Sequence, residues 1–235
     1  MGYGLFIDPR YLLFMLPAFV LMMAVQWYVN SSYAKWSKVP ARSRMSGAQA
    51  AQRLIQSGGL YDVRIEGVQG KLTDHYDPRS KVLRLSQGVY EGQSVASLAI
   101  AAHELGHAMQ DHDDYLPLRL RAAMVPMVSI GSYLGWILIM IGILIGFTGL
   151  AWLGVAVFSG GALFALATLP VELNASARAK QLLFDSGLIS GEDERRGVNQ
   201  VLNAAALTYV AALVSAVLQL LYWVTMLLGM GSRRD

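Results

Sequence analysis

Two histidines and a glutamate with the spacing of a metal site lie near the middle of the chain, at His103, Glu104 and His107. The alanine-rich residues 94–112 predict one helix, on which histidines four residues apart share a face and can reach one metal ion. Zinc suits such a pair of imidazoles. The adjacent glutamate can take a proton from a water molecule that the metal activates, so this HExxH spacing predicts metal-assisted hydrolysis of peptide bonds.

The remainder of the same helix favours a functional site over an accidental match. The face opposite the histidines carries an apolar stripe made of Leu98, Ala102, Leu105 and Met109. One side of the helix can therefore be buried while the other stays open to a ligand. Gly106 lowers helix stability and is tolerated where another part of the chain approaches the backbone closely.

The composition is that of an integral membrane protein. Hydrophobic residues make up 54% of the 235-residue chain, charged residues 15%, and the mean hydropathy is +0.41. Such a chain is too apolar for an ordinary soluble domain. Cysteine is absent, so a metal must be held by histidine and carboxylate. The net charge of +3 is small, and no basic run with interleaved aromatics indicates a nucleic-acid partner.

Four apolar stretches are long enough to cross a bilayer. Residues 11–29 form the first, for which a cleaved signal peptide is the competing interpretation. Residues 122–169 contain no group that is ionised at neutral pH and predict a hairpin of two spans, 125–145 and 148–169, turning at Gly142, Gly146 and Gly149. Residues 202–229 form the fourth.

The polar segments between these spans define the remaining parts of the chain. We divide it into an N-terminal span (1–29), a catalytic part (30–121), a membrane hairpin (122–169), a helical segment (170–200) and a C-terminal span (201–235). With four spans, the two polar segments lie on one side of the membrane and hold 16 of the 19 basic residues. The positive-inside rule then predicts that the metal site faces the cytoplasm of a multi-pass cell-membrane protein.

The catalytic part predicts a short helix and a small sheet ahead of the metal helix. Residues 46–57 form the helix, with Ser46 as its N-cap. The strand candidates are residues 61–66, 71–75 and 81–85, with a type I turn at residues 77–80. We expect an antiparallel sheet whose edge strand could hold an extended peptide by backbone pairing, and a purely structural hairpin is an equal alternative.

A catalytic zinc site needs a third protein ligand and keeps one position for water. Glu172 is the strongest carboxylate, because it opens a helix, 172–184, after the hairpin and has Ser176 at i+4 instead of a basic partner. Its alternative role is that of an acid stabilising the helix dipole. We interpret Glu192 and Glu194 as a solvated charged turn that starts the next helix.

The other two histidines are weaker candidates. His112 lies about 140° around the helix from His107, and we expect it to be an exposed residue near the helix C-terminus. His75 falls in a strand and could face the cleft, although a surface or packed position is favoured. Acidic residues flank the metal helix at Glu91, Asp111, Asp113 and Asp114. They argue against a metal buried within the bilayer, although the helix could lie near the interface.

Several stretches together resemble the YugP-type neutral zinc metallopeptidases, which are small multi-pass membrane proteins of bacteria. They are residues 72–78 (LTDHYDP), 94–107, 115–121 (YLPLRLR), 169–176 (LPVELNAS) and 201–211 (VLNAAALTYVA). The family is similar to the HtpX and CAAX-protease group, whose active site faces the cytoplasm. The resemblance implies a zincin-like α+β catalytic part inside a mainly α membrane protein.

The resemblance also implies roles for individual residues. It makes His103, His107 and Glu172 the zinc ligands and Glu104 the catalytic base. The chain departs from the wider group at Ser176, where an aspartate is usual, so Asn174 or Ser176 becomes the candidate for orienting a ligand histidine. A second donor for the reaction's oxyanion is expected, and the candidates are His75, Tyr76 and Arg178.

The sequence thus predicts a zinc-dependent endopeptidase with the lipid bilayer and a protein or peptide substrate as partners. Quality control of membrane proteins is the role suggested by analogy. The alternative is a non-proteolytic membrane scaffold or assembly factor with a structural zinc. Such a scaffold has no need of Glu104, so replacing this residue separates the two hypotheses.

Overall fold

The computed structural model describes residues 9–231. Within this range the chain forms eight helices: α1 (Pro9–Trp36), α2 (Gly47–Gly58), α3 (Gln87–Tyr90), α4 (Val95–His112), α5 (Leu116–Leu144), α6 (Thr148–Phe158), α7 (Gly160–Asp185) and α8 (Glu192–Gly231). The strands described are β1 (Arg64–Val68), β2 (His75–Asp77) and β3 (Val82–Ser86). The chain divides into two compact units. The mixed unit comprises Gln26–Leu118 and Pro170–Leu207, and the apolar unit comprises the rest.

Four helical stretches in residues 9–231 are long and apolar enough to cross a membrane, as the sequence predicts. They are Pro9–Trp36, Leu116–Leu144, Thr148–Asp185 and Glu192–Met230, each with a mean hydropathy of 2.0 over its most apolar window. Large apolar side chains such as Met127 and Tyr133 are exposed along them. Apolar side chains on the outside of long helices are typical of lipid-facing surfaces.

Small residues bring α5 and α6 together in the apolar unit. A Cβ atom at Gly142 would lie 2.9 Å from the Cα of Ala151, and one at Gly154 would lie 2.6 Å from the backbone nitrogen of Ile139. Such close backbone approach is common between helices in membranes. Of the three glycines expected at the turn, Gly146 occupies it, with a φ of 71°, whereas Gly142 and Gly149 lie within helices.

In the mixed unit, α2 has the helix boundaries expected from its sequence. Ser46 caps its N-terminus and forms a capping box with Gln49, and Gly59 ends it in the left-handed conformation. Its apolar face, including Leu54 and Ile55, is buried in the same core as the apolar stripe of α4. This packing buries the apolar face of α4, and the opposite face, which carries the histidines, points toward α7.

The sheet is mixed, so the expectation of an antiparallel sheet is wrong. Its order is β1-β3-β2, with β1 parallel and β2 antiparallel to β3. The strand β3 is the most apolar and most buried of the three and occupies the centre, which leaves the polar β2 at an edge. The second strand also begins later than expected, at His75, and the predicted turn follows it: Asp77 accepts hydrogen bonds from the Arg79 backbone and the Ser80 hydroxyl.

The helix that carries Glu172 begins earlier than the sequence suggests. We expected Glu172 to open a helix, but α7 starts at Gly160 and continues through Pro170. A proline inside a helix removes one backbone hydrogen bond without necessarily ending the helix. Glu172 therefore lies beyond the first turn of α7, where the helix dipole no longer favours an acid, and the dipole-stabilising alternative loses its basis.

The prediction of a solvated charged turn at the start of α8 is partly wrong. Glu192, Asp193 and Glu194 do form the first turn of α8. Glu194, however, is buried: its carboxylate accepts hydrogen bonds from the backbone N–H groups of Gly191 and Arg42. It closes the helix N-terminus as a structural cap, so the solvated-turn interpretation is wrong for this residue.

Candidate metal centre

His103 and His107 on α4 and Glu172 on α7 come together at one point of the mixed unit. The Nε2 atoms of His103 and His107 lie 3.4 and 3.5 Å from Glu172 Oε2. Each histidine side chain is 13% exposed, whereas that of Glu172 is 2% exposed. Within the part of the chain that the structure describes, this is the cluster of histidine and acidic residues that could hold a metal ion.

The spacing of these atoms fits zinc. Tetrahedral coordination with bonds of about 2.0–2.1 Å places neighbouring ligand atoms about 3.3 Å apart. The two histidine-to-glutamate distances of 3.4 and 3.5 Å match that separation. Two imidazoles and one carboxylate also leave a fourth position for water or substrate, as in catalytic zinc sites.

The electrostatic surroundings of His107 favour a cation. Burial lowers the pKa of His107, but the hydrogen bond with Glu172 and the negative charges of Glu104 and Glu172 outweigh burial and raise it above its ordinary value of 6.5. Groups that stabilise a proton on an imidazole also attract a metal ion in its place. The same carboxylates would thus stabilise bound zinc.

Gly106 allows the two ligand-bearing helices to meet. A Cβ atom at this position would lie 3.0 Å from the carbonyl carbon and 3.1 Å from the Cα of Ala175, and closer still to the Ala175 carbonyl oxygen. Ala175 is fully buried on α7, three residues after Glu172. The expected close approach at Gly106 is therefore present, and it brings Glu172 within reach of the histidines.

Each ligand histidine has a neutral polar partner on its other ring nitrogen. Ser176 Oγ lies 3.2 Å from His103 Nδ1, which places one of the two expected orienting residues beside a histidine. The other, Asn174, instead contacts Gln110, and it is Gln110 whose Oε1 lies 3.0 Å from His107 Nδ1. Sequence reasoning missed Gln110, although its position three residues after His107 on one helix face was an available signal.

Glu104, the expected base, lies next to the sheet edge. Its Oε2 accepts a hydrogen bond of 3.2 Å from the backbone N–H of Tyr76 in β2. Tyr76 is paired with Leu83 of β3, so an N–H that reaches Glu104 points away from β3 toward the free edge of the sheet. The expected edge strand and the expected base are therefore neighbours.

A second contact ties the same strand to α4. Asp111 accepts hydrogen bonds from the Tyr76 hydroxyl at 2.9 Å and from Lys81 Nζ at 2.6 Å. Burial and the bond to Asp111 raise the pKa of the Tyr76 phenol, and the same carboxylate raises the pKa of Lys81. Both groups keep their protons at neutral pH, and together with Asp111 they hold β2 and the following turn against the end of α4.

Each of the three candidates for an oxyanion donor has another polar contact in the structure. The Tyr76 hydroxyl bonds Asp111, and Arg178 bonds Asp113 and Asn174. His75 is exposed, and its Nδ1 lies 2.9 Å from the carbonyl oxygen of Thr73. His112 is exposed in the last turn of α4, as expected.

Comparison with known proteins identifies the family of the chain. Residues 11–228 match the family model described as "Putative neutral zinc metallopeptidase". The chain is 46% identical over 204 residues to "Putative membrane protease YugP" of Bacillus subtilis (strain 168), which covers 87% of this chain and 90% of that protein. The chain belongs to this family of neutral zinc metallopeptidases. No solved structure matches it.

Proposed function

We propose that the protein is a membrane-embedded, zinc-dependent endopeptidase with a zincin-like catalytic part. The observation that carries the proposal is the separation of 3.4 and 3.5 Å between the Nε2 atoms of His103 and His107 and Glu172 Oε2, with Glu104 next to His103 on α4. Family membership and the four apolar helices support a peptidase in a membrane. The role of Glu104 separates this proposal from a scaffold with structural zinc, since a closed structural site requires no neighbouring base.

The chain's own residues divide the work of hydrolysis. His103, His107 and Glu172 would hold zinc, which when bound supplies a Lewis acid that activates water and polarises the scissile carbonyl. Glu104 takes the proton of the attacking water and passes it to the amine that leaves. The Tyr76 backbone N–H, which donates to Glu104, holds that carboxylate beside the sheet edge before the substrate arrives.

The free edge of β2 provides the binding surface for an extended peptide. In an antiparallel strand the carbonyl of a residue points to the same side as its N–H group. The Tyr76 carbonyl therefore points away from β3 and can accept a hydrogen bond from a strand that adds to the sheet at this edge, whereas the Tyr76 N–H already bonds Glu104. Backbone pairing is insensitive to side-chain identity, and it suits unfolded segments of many sequences. We therefore propose protein or peptide substrates in extended conformation, with quality control of membrane proteins as the cellular role.

Topology follows from counting spans and charges. If each of the four apolar helices crosses the membrane, residues 30–121 and 170–200 lie on one side, and these segments contain 16 of the 19 basic residues. The positive-inside rule assigns that side to the cytoplasm. We propose a multi-pass protein of the cell membrane that cleaves substrates from the cytoplasmic face.

The deciding experiment replaces Glu104 by glutamine in protein purified in detergent or lipid nanodiscs. Glu104→Gln should retain zinc and its folded state but lose cleavage of an unfolded model protein. Glu91→Gln, the same change at an exposed position outside the site, should cleave as wild type does. Cleavage by Glu104→Gln at the wild-type rate would overturn the assigned base, and zinc binding with no cleavage by wild type would favour the scaffold.

A further inference from the structure

Gln110 connects the two helices that carry the metal site. It is fully buried on α4, one helical turn beyond His107. Its Oε1 lies 3.0 Å from His107 Nδ1, and its Nε2 lies 2.7 Å from the Val171 carbonyl oxygen and 3.0 Å from Asn174 Oδ1. Val171 immediately precedes Glu172 on α7, so one amide touches a ligand on one helix and the backbone beside a ligand on the other.

The partners of this amide determine which way it faces. A backbone carbonyl only accepts hydrogen bonds, so the Gln110 NH2 group must point at Val171. Arg178 only donates, and its Nε bonds Asn174 Oδ1 at 2.9 Å, so the Asn174 atom facing Gln110 is an oxygen. Two independent partners thus assign nitrogen to one side of Gln110, which leaves its oxygen toward His107.

This orientation fixes the proton on His107. The Gln110 oxygen can only accept, so His107 Nδ1 must carry the hydrogen and donate it. With the hydrogen on Nδ1, the nitrogen left to bind the metal is Nε2, which lies 3.5 Å from Glu172 Oε2. His103 has no such constraint from its partner, because the Ser176 hydroxyl can either donate or accept.

We propose that Gln110 is a positioning residue that holds His107 in the Nδ1–H form and anchors it to the α7 backbone beside Glu172. The inference rests on the proposed zinc site. Partners of this kind on metal-binding histidines change metal affinity by about 10- to 100-fold when removed. In this chain a neutral amide performs the task, and it also ties two ligand-bearing helices to each other.

Two substitutions separate positioning of His107 from simple core packing. Gln110→Glu keeps an oxygen that accepts from His107 Nδ1 but loses the NH2 group that bonds Val171 and Asn174, and it buries a charge. Gln110→Leu fills similar space without either function. Core packing alone predicts that Leu is tolerated better than Glu in every respect, because a buried apolar side chain is less costly than a poorly paired carboxylate.

The measurements are zinc affinity, by competition with a chelator, and the melting temperature of the zinc-free protein. We expect Gln110→Leu to bind zinc about 10- to 100-fold more weakly than wild type. We expect Gln110→Glu to bind zinc more tightly than Gln110→Leu although it melts at a lower temperature. Wild-type affinity in Gln110→Leu, or zinc affinities that follow the melting order, would overturn the inference.

A measurement on the unmutated protein covers the case in which neither variant folds. The chain has four histidines, so nitrogen-15 labelling and NMR can assign the ring proton of each in zinc-free protein at alkaline pH. We expect His107 to carry a proton on Nδ1, where the Gln110 oxygen accepts it, and a ring that is protonated on Nε2 alone would contradict the inference. If wild type folds but binds no zinc, the proposed function fails, whereas wild-type zinc binding that is also kept by Gln110→Leu contradicts only the role of Gln110.

Discussion

Gly106→Ala is expected to disable the metal site while leaving the fold nearly intact. A Cβ at this position would lie 3.0 Å from the carbonyl carbon of Ala175, whereas 3.4 Å is an ordinary contact. The shortfall is 0.4 Å at the carbon and larger at the oxygen, so α4 and α7 must separate by at least this amount. Metal sites tolerate errors of about 0.2 Å in ligand distances, so the expected movement is at least about twice that tolerance.

The effect on stability should be much smaller than the effect on zinc. Overpacking a tight contact costs about 1–3 kcal/mol, and replacing glycine by alanine inside a helix returns about 1 kcal/mol. We therefore expect the zinc-free variant to unfold with a free energy lower than that of wild type by about 0–2 kcal/mol. Zinc affinity should fall at least about tenfold, because Glu172 moves away from both histidines.

The assay is chelator competition for zinc together with thermal unfolding, on protein in the same detergent. Gly58→Ala is the matched control, because a Cβ at Gly58 meets nothing within 4 Å. The contact at Gly106 is with backbone atoms, so adding Ala175→Gly to Gly106→Ala should not restore zinc binding. Wild-type zinc affinity in Gly106→Ala, or full rescue by Ala175→Gly, would refute this account of how the helices position the ligands.

Three further predictions concern other parts of the mixed unit and the topology. Asp111→Ala should raise KM for an unfolded substrate several-fold while zinc content stays at the wild-type level, because Tyr76 and the edge strand lose their acceptor on α4; an unchanged KM would count against the edge-strand role. Glu194→Ala should lower the free energy of unfolding by about 1–3 kcal/mol, since buried N–H groups lose their acceptor, and it should leave zinc stoichiometry intact. The chain has no cysteine, so single cysteines report topology: an impermeant maleimide should label Ile145→Cys on intact cells and Arg79→Cys only after the membrane is opened, and the reverse pattern would invert the topology.

Local patterns predicted the elements of the fold well. Residues 94–112 and 46–57 carry strong helix signals, and α4 and α2 end within two residues of them. Four long apolar stretches predicted the four helices that could span a membrane. These features depend on neighbours within one or two turns, which a sequence shows directly.

Features that depend on distant contacts were harder to predict. The order of strands in the sheet is decided by which strand is buried at the centre, and β3 takes that place only in the folded unit. Glu194 stands among charged neighbours in the sequence, yet folding buries it where it accepts a backbone hydrogen bond from Arg42. Glu172 was expected to open a helix, but α7 begins at Gly160 and continues through Pro170.

The sequence predicted the ligands of the candidate site but not all of the residues that orient them. The ligand set combined a helical spacing, at His103 and His107, with a resemblance that pointed to Glu172. Gln110 gave a weaker signal: its spacing from His107 places it on the same helix face, but its partners on α7 are known only from the folded chain. Sequence patterns thus identify the residues that bind the metal more easily than the residues that orient those ligands.

Zinc content per chain in three preparations tests the central claim most directly. Wild type should carry one zinc ion, Glu172→Ala should lose it, and Glu192→Ala, which removes an exposed acid from the first turn of α8, should keep it. This result would support a single site formed by His103, His107 and Glu172. Full zinc occupancy in Glu172→Ala, or none in wild type, would contradict the claim that these three residues form a zinc centre.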